Sequence, residues 1–314
     1  MTHESPRQLC CNFGIDLRIT LWLRLLIFAL VLQTHPLFAA NTTFTVYTVN
    51  YPLRYFAQRI ASKHAKVIFP APAGVDPAFW KPGLDTIADY QRADLVLLNG
   101  ANYAKWPAKV SLPIGKLVNT SAHLKDRYIR LDDIVTHTHG PTGEHSHTGT
   151  AFTTWLDFDF AADQASAIKS ALVRKLPAHD QELEKNLQSL RSELLELDRK
   201  VKEIVAKKPG KPLLASHPVY QYLAKRYSLN LTSLHWEPDT VPEPAMWSAL
   251  ESLLAEGHAR WMVWEGPPNK ESVNKLKSLG VDSIVFNPAG NNPEKGDFMS
   301  IMRKNVHHLR RAFQ

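Results

Sequence analysis

The stretch His179–Lys207, HDQELEKNLQSLRSELLELDRKVKEIVAK, decides how the rest of the chain is arranged. Apolar side chains recur along it every three or four residues, at Leu183, Leu187, Leu190, Leu194, Leu197, Val201 and Ile204. That spacing places one apolar stripe along a single long helix and leaves the charged residues on its solvated side. The stripe is too short to indicate a coiled coil, so we expect the helix to pack along the protein.

Before this helix, short apolar runs alternate with helical patterns. Strands are predicted at Thr43–Val49, Ala65–Pro70 and Ala93–Leu98, and helices between them at Leu53–Ser62 and Leu84–Arg92. This order is typical of a parallel α/β sheet, which binds ligands at the carboxyl ends of its strands. A further helical pattern at 159–176 stops at a proline and leads into the long helix.

The same alternation resumes after the long helix. Strands are predicted at Pro212–Ala215, Leu229–Leu234, Trp261–Trp264 and Val281–Phe286, and helices at Val219–Tyr227, Ala245–Glu256, Lys270–Leu279 and Asp297–Phe313. The predicted fold class is therefore α/β, with two similar lobes of mostly parallel sheet bridged by a long helix. We place the N-terminal lobe at residues 41–158, the linking helical segment at 159–208 and the C-terminal lobe at 209–314.

Residues 1–40 are predicted to be a signal peptide. Arg18 precedes an apolar run at 19–32, and small residues follow at Ala39 and Ala40. The run is too short for a confident membrane span. We therefore expect export to the periplasm with cleavage near Ala39 or Ala40.

Cysteine content and charge exclude several classes of protein. Cys10 and Cys11 both lie in the predicted signal peptide, so we expect neither disulfides nor thiolate ligands in the mature chain. The formal net charge is +7, but the basic residues are scattered and form no patch interleaved with aromatic residues. Nucleic-acid binding is therefore not expected.

Histidine is concentrated in a predicted loop of the N-terminal lobe, residues 136–148, THTHGPTGEHSHT. The loop holds His137, His139, His145 and His147. Neutral imidazole is the commonest protein ligand for zinc and related metals, and residues i and i+2 of an extended chain point to the same face. Each His-x-His pair can therefore offer two nitrogens to one ion. We expect metal contact here; a solvated, flexible loop is the alternative.

Two further candidate ligands follow predicted strands of the C-terminal lobe. His217 lies between a strand and a helix, and Glu265 directly follows another strand. Both are therefore expected at the carboxyl edge of the sheet, where they could supply mixed nitrogen and oxygen ligation to a divalent ion. The alternatives are a core or helix-capping histidine and a carboxylate paired with a backbone amide or a base.

The sequence also contains a set of short motifs that together span nearly all of the mature chain. They are Asp76-Pro77 with Trp80, Ala93-Asp94-Leu95-Val96 with Asn99-Gly100, the His-rich loop, Trp155-Leu156-Asp157, Ser216-His217-Pro218-Val219-Tyr220 with Tyr222 and Tyr227, and Asp297-Phe298 with Asn305. In these motifs the chain resembles the zinc/manganese solute-binding proteins of ABC transporters, the ZnuA/TroA-like group. The resemblance implies two α/β lobes bridged by a rigid helix, with the metal between the lobes.

The resemblance also implies ligands that this chain lacks. The family usually has histidine where Ala78 and Thr153 stand, and often a carboxylate at the position of Asn287. Alanine has no donor atom, and neither threonine nor asparagine is a usual ligand of zinc. Only His217 matches, so we expect a shifted site that combines it with Glu265 and imidazoles from the loop.

The function implied by the resemblance is capture and delivery of a metal ion. A monomeric periplasmic protein would bind Zn²⁺, or alternatively Mn²⁺ or another divalent transition metal, and deliver it to an ABC permease in the inner membrane. A metal chaperone or sensor, or a degenerate binding protein of the same fold, is the alternative. A zinc hydrolase with Glu265 or Glu237 as base is less favoured, because no spacing in the sequence requires either residue to be a base and no His-Glu-x-x-His motif occurs. We therefore expect no enzyme activity.

Overall fold

The structure is a computed structural model that describes residues 43–138, 144–257 and 259–314, together with Met1. Thr43–Gln314 form one unit that contains both parallel sheets. The signal-peptide prediction and His139 lie outside the described residues. The lobe limits at residues 41–158, 159–208 and 209–314 stay a prediction.

The first sheet is parallel and has the strand order β2-β1-β3-β4. Its elements in chain order are β1 (Thr45–Thr48), α1 (Tyr51–Ala61), β2 (Lys66–Ile68), α2 (Leu84–Arg92), β3 (Leu95–Leu98) and β4 (Leu117–Asn119). The side chain of Asn50 caps α1 by accepting a hydrogen bond from the backbone N–H of Leu53 at 3.0 Å. The sequence predicted every one of these elements except β4, which has only three half-buried residues and therefore no readable periodicity.

The His-rich segment is an antiparallel hairpin. Its strands are β5 (Arg130–Thr138) and β6 (Glu144–Thr150), and the register pairs His137 with His145 and Val135 with His147. We expected a loop at 136–148, but alternating Thr, His and Ser residues also suit a two-stranded ladder. The residues between the strands, 139–143, are not among those described.

Two consecutive helices follow the hairpin. They are α3 (Phe158–Lys175), capped by Asp157, and α4 (Asp180–Val205). The predicted stripe of α4 is buried throughout, and the helix contacts both α1 and α3. The break at Pro177 is a 3₁₀ turn.

The second sheet is parallel and has the strand order β10-β9-β7-β8. Its elements in chain order are β7 (Pro212–Ala215), α5 (Gln221–Tyr227), β8 (Asn230–Ser233), α6 (Pro244–Glu256), β9 (Trp261–Trp264), α7 (Lys270–Ser278), β10 (Asp282–Val285) and α8 (Phe298–Ala312). Helix α4 contacts α5 and α8, so it connects the elements of both sheets. This confirms the predicted α/β fold with two parallel sheets and a long bridging helix.

Among the described residues, no helix combines the length and the apolar character that crossing a membrane requires.

Candidate metal centre

Three strand ends of the second sheet lie side by side. The backbone N–H of Leu234 donates to the carbonyl of Ala215 at 2.8 Å, and that of Trp236 donates to Ser216 at 2.7 Å. On the other side of β7, the N–H of Ser216 donates to the carbonyl of Val263 at 2.9 Å. The ladder therefore continues past the formal ends of the strands and brings residues 216–217, 235–237 and 265 to one edge of the sheet.

A buried imidazole lies between two carboxylates at this edge. His217 is only 2% exposed. Its Nε2 atom lies 3.9 Å from Oε1 of Glu237, and its Nδ1 atom lies 3.7 Å from Oε2 of Glu265. The ring of His235 approaches from the side, with ring centroids 6.3 Å apart and planes at 86°. We call these four residues the C-terminal edge cluster.

The electrostatics of the cluster suit a cation. Burial lowers the pKa of His235, which favours the neutral imidazole that binds metals. Burial, followed by the charge of Glu265, raises the pKa of Tyr220, whose hydroxyl donates to the carbonyl of Phe286 at 2.7 Å. The cluster thus combines two carboxylates with an imidazole held neutral by its surroundings.

The positions at which the resemblance implies metal ligands hold side chains with other roles. Ala78 is buried, and its backbone N–H donates to Oδ1 of Asp76 at 2.8 Å. The hydroxyl of Thr153 donates to the carbonyl of Val219 at 2.6 Å, and Oδ1 of Asn287 accepts from the N–H of Ala289 at 2.7 Å. These positions contribute local hydrogen bonds and packing.

Neutral side chains fill the carboxyl edge of the first sheet. Oδ1 of Asn99 accepts from Nδ2 of Asn50 at 3.2 Å and from the hydroxyl of Thr154 at 3.3 Å. Nε2 of Gln164 donates to the hydroxyl of Thr120 at 2.9 Å. All five side chains are buried. We call them the N-terminal edge network.

The structure brings together two of the predicted site residues, His217 and Glu265. The other four are His137, His145 and His147, whose positions on β5 and β6 are known but whose side chains are not described, and His139, which is not described at all. Within the described part of the chain, no group of three or more His, Cys, Asp and Glu side chains is arranged to hold a metal ion. The cluster therefore needs a small closure or a further ligand.

The sequence alone did not indicate His235 as a site residue, and it indicated Glu237 only as a possible base. The available signal was the order His-Trp-Glu directly after a predicted strand, because residues i and i+2 of an extended chain share a face. The adjacency to His217 depends on the pairing of β7 with β8 and could not be read from spacing.

Comparisons with known proteins agree with the fold and the motifs. The profile of the family described as zinc-uptake complex component A, periplasmic, matches residues 46–312. The high-affinity zinc uptake system protein ZnuA of Bacillus subtilis is 26% identical over 286 residues, which cover 84% of this chain and 86% of the relative. The zinc-binding protein AdcA of Streptococcus pyogenes serotype M1 is 22% identical over 285 residues, and the match covers 84% of this chain but only 55% of AdcA.

A solved structure shows the same fold. The metal-dependent lipoprotein YcdH from Bacillus subtilis superposes with a TM-score of 0.73 at 23% identity, covering 86% of this chain and all of that one. Because the family profile spans most of the chain, the protein belongs to the zinc-uptake component A family, the zinc solute-binding proteins of ABC transporters.

Proposed function

We propose that the protein is the periplasmic solute-binding component of a metal ABC transporter, which captures Zn²⁺ and delivers it to a membrane permease. Family membership supports the transport role. The observation that carries metal capture in this chain is the buried His217, with carboxylate oxygens at 3.7 and 3.9 Å. Zinc accepts this mixture of nitrogen and oxygen ligands.

We further propose that the site takes ligands from both His217 and the hairpin. The candidates are His217 and Glu265 with imidazoles of His137, His139, His145 and His147. The root of the hairpin supports this, because Leu131 and Ala151 line a small cavity together with Pro218 and Val219, which directly follow His217. The hairpin therefore starts next to the C-terminal edge cluster.

Export and oligomeric state complete the proposal. Residues 1–40 act as a signal peptide cleaved near Ala39 or Ala40, and the mature chain works as a monomer without nucleic acid. Its role is binding and release, so no catalytic step is assigned. N-terminal sequencing and the mass of the exported protein test the cleavage site.

Titration of the mature chain with zinc against a chromogenic chelator tests the function. The proposal predicts tight binding of one ion per chain. Absence of binding below millimolar zinc would contradict it. Deletion of residues 136–148 and His217→Ala locate the site. Tight binding that survives His217→Ala but is lost with the deletion would place the site wholly in the hairpin.

A further inference from the structure

We propose that His235 and Glu237 bind the same ion as His217, so that the edge of the second sheet alone supplies three ligands. In this arrangement Glu265, a candidate ligand in the proposed site, instead orients the His217 ring. The inference rests on the proposed function and names residues of its site. The ion remains Zn²⁺ or a divalent metal that accepts the same ligands.

The backbone directs His235 and Glu237 to one side. They flank Trp236, which is 3% exposed and packs against Trp247 with ring centroids 4.7 Å apart. Since alternate residues of an extended segment point to opposite faces, burial of Trp236 turns its two neighbours away from the core beneath it. The hydrogen bond from Trp236 to Ser216 holds this segment beside His217.

The separations are close to those of ligands around one ion. With zinc–nitrogen and zinc–oxygen distances of about 2.0–2.2 Å, tetrahedral ligand atoms lie roughly 3.4 Å apart, and two bound imidazole rings have centroids about 5 Å apart. The observed values are 3.9 Å between His217 Nε2 and Glu237 Oε1 and 6.3 Å between the two ring centroids. A closure of about 1 Å would bring these separations to the values expected around one ion.

The two nitrogens of His217 have different neighbours, which divides the carboxylates into two roles. Nε2 faces Glu237, and Nδ1 faces Glu265. An imidazole binds a metal through one nitrogen while the other donates its N–H, usually to a carboxylate or a carbonyl. The ion therefore lies on the Nε2 side, which faces Glu237, and Glu265, 3.7 Å from Nδ1, moves closer to accept its N–H in the metal-bound state.

This arrangement leaves one position of a tetrahedral site for a further ligand. The charges also agree, because Glu237 and Glu265 together balance a divalent cation. The edge of the second sheet can then hold the ion with three ligands of its own.

Four variants of the mature chain test the inference in a competition titration with zinc. His235→Ala and Glu237→Gln each remove a proposed ligand and should weaken zinc binding by about 100-fold or more. Glu265→Gln should weaken it by roughly 10- to 100-fold, the usual cost of losing a residue that hydrogen-bonds to a metal ligand. The matched control is Glu243→Gln, an exposed carboxylate next to α6, which should bind as the wild type does. Thermal melts of the metal-free variants check the fold.

Cobalt substitution supplies a second readout. The visible absorption of Co²⁺ bound to the wild type should change in position and intensity when His235 is replaced, because the spectrum depends on the ligand set. If His235→Ala and Glu237→Gln bind zinc like the wild type while His217→Ala does not, the inference is wrong and the proposed function stands. If the wild type itself binds no zinc, the proposed function fails first.

Discussion

The carboxyl edges of the two parallel sheets are equivalent places in the fold with different chemistry. At the first sheet, Asn50, Asn99 and Gln164 belong to a buried network of neutral amides and hydroxyls. At the second sheet, the buried His217 lies within 4 Å of Glu237 and Glu265. The same topological position thus holds a neutral network in one lobe and ionisable groups in the other.

The difference separates a structural role from a binding role. Buried amides that hydrogen-bond to one another fix a geometry and offer little to a cation, whereas imidazole and carboxylate are the ligands that zinc prefers. Ala78 and Thr153 agree with this division. Both precede α3, in the part of the chain that contains the first sheet, and neither side chain is a strong metal ligand. The C-terminal edge cluster should therefore dominate metal capture.

The largest effect is expected from His217→Ala. His217 is the residue that both carboxylates face. Losing a residue that only hydrogen-bonds to a metal ligand costs up to about 100-fold in affinity, so loss of His217 itself should weaken zinc binding by at least that factor. The matched control is His64→Ala, which removes an imidazole that contacts Glu182 at 2.8 Å and stacks on His179 instead. Competition titrations of both variants measure the effect. If His64→Ala lost as much zinc affinity as His217→Ala, the assignment of His217 as a metal ligand would be contradicted.

Asp198→Asn should destabilise the fold without changing zinc affinity. Burial alone would raise the pKa of Asp198, but hydrogen bonds from Arg226 of α5 and Lys202 lower it below its usual value. Removing a charged partner of this kind costs about 1.5–3 kcal/mol. Denaturant unfolding at neutral pH measures it.

The pH dependence of this effect has a definite sign. Because the pKa of Asp198 is lower in the folded protein, its stabilisation is present above the unfolded value of about 3.9 and is lost as the pH falls through the folded value. The gap between wild type and variant should therefore shrink in acid. Asp157→Asn is the contrasting variant. Burial raises the pKa of Asp157, so the difference in stability between this variant and the wild type should not shrink in acid. Asparagine also retains the cap of α3. A gap for Asp198→Asn that persists unchanged in acid would contradict this account.

Gln164→Leu should break the N-terminal edge network. It removes the hydrogen bonds that Gln164 makes with the buried hydroxyls of Thr120 and Thr154 at 2.9 and 3.0 Å, each of which contributes about 0.5–1.5 kcal/mol. Thermal unfolding should show the loss, while zinc titration should match the wild type. A large loss of affinity with an intact fold would mean that the first edge takes part in binding.

The smallest effect concerns pH and binding. Zinc competes with protons for imidazole, so affinity should stay flat above neutral pH and fall in acid. Burial lowers the pKa of His235, so its neutral form persists below the ordinary histidine value of about 6.5. The loss of zinc affinity should therefore begin at a lower pH than it would for a site built from exposed imidazoles. Titrations at a series of pH values check this. A fall that starts well above neutral pH would point to other ligands.

Local periodicity accounts for how much of the fold could be predicted. The stripe of α4 and the apolar runs of β3, β7 and β9 are strong local signals, and each lies within one residue or two of its predicted limits. His217 and Glu265 were found because each follows such a run. The short strand β4 and the hairpin give weak signals, since three residues or an alternating polar pattern also fit a loop.

The rest of the site depends on contacts between distant segments. His235 and Glu237 lie near His217 only because β8 pairs with β7 in parallel register, from Pro212 opposite Asn230 to Ala215 opposite Ser233. A register shifted by one residue would turn both side chains to the other face. Such pairing reflects the packing of the whole sheet, which no single stretch of sequence specifies.

The most direct test of the central claim is a crystal structure of the zinc-loaded mature protein with an anomalous map at the zinc edge. The account predicts a peak bonded to Nε2 of His217, at the edge of the second sheet. A peak held only by hairpin imidazoles, with His217 away from the ion, would contradict it.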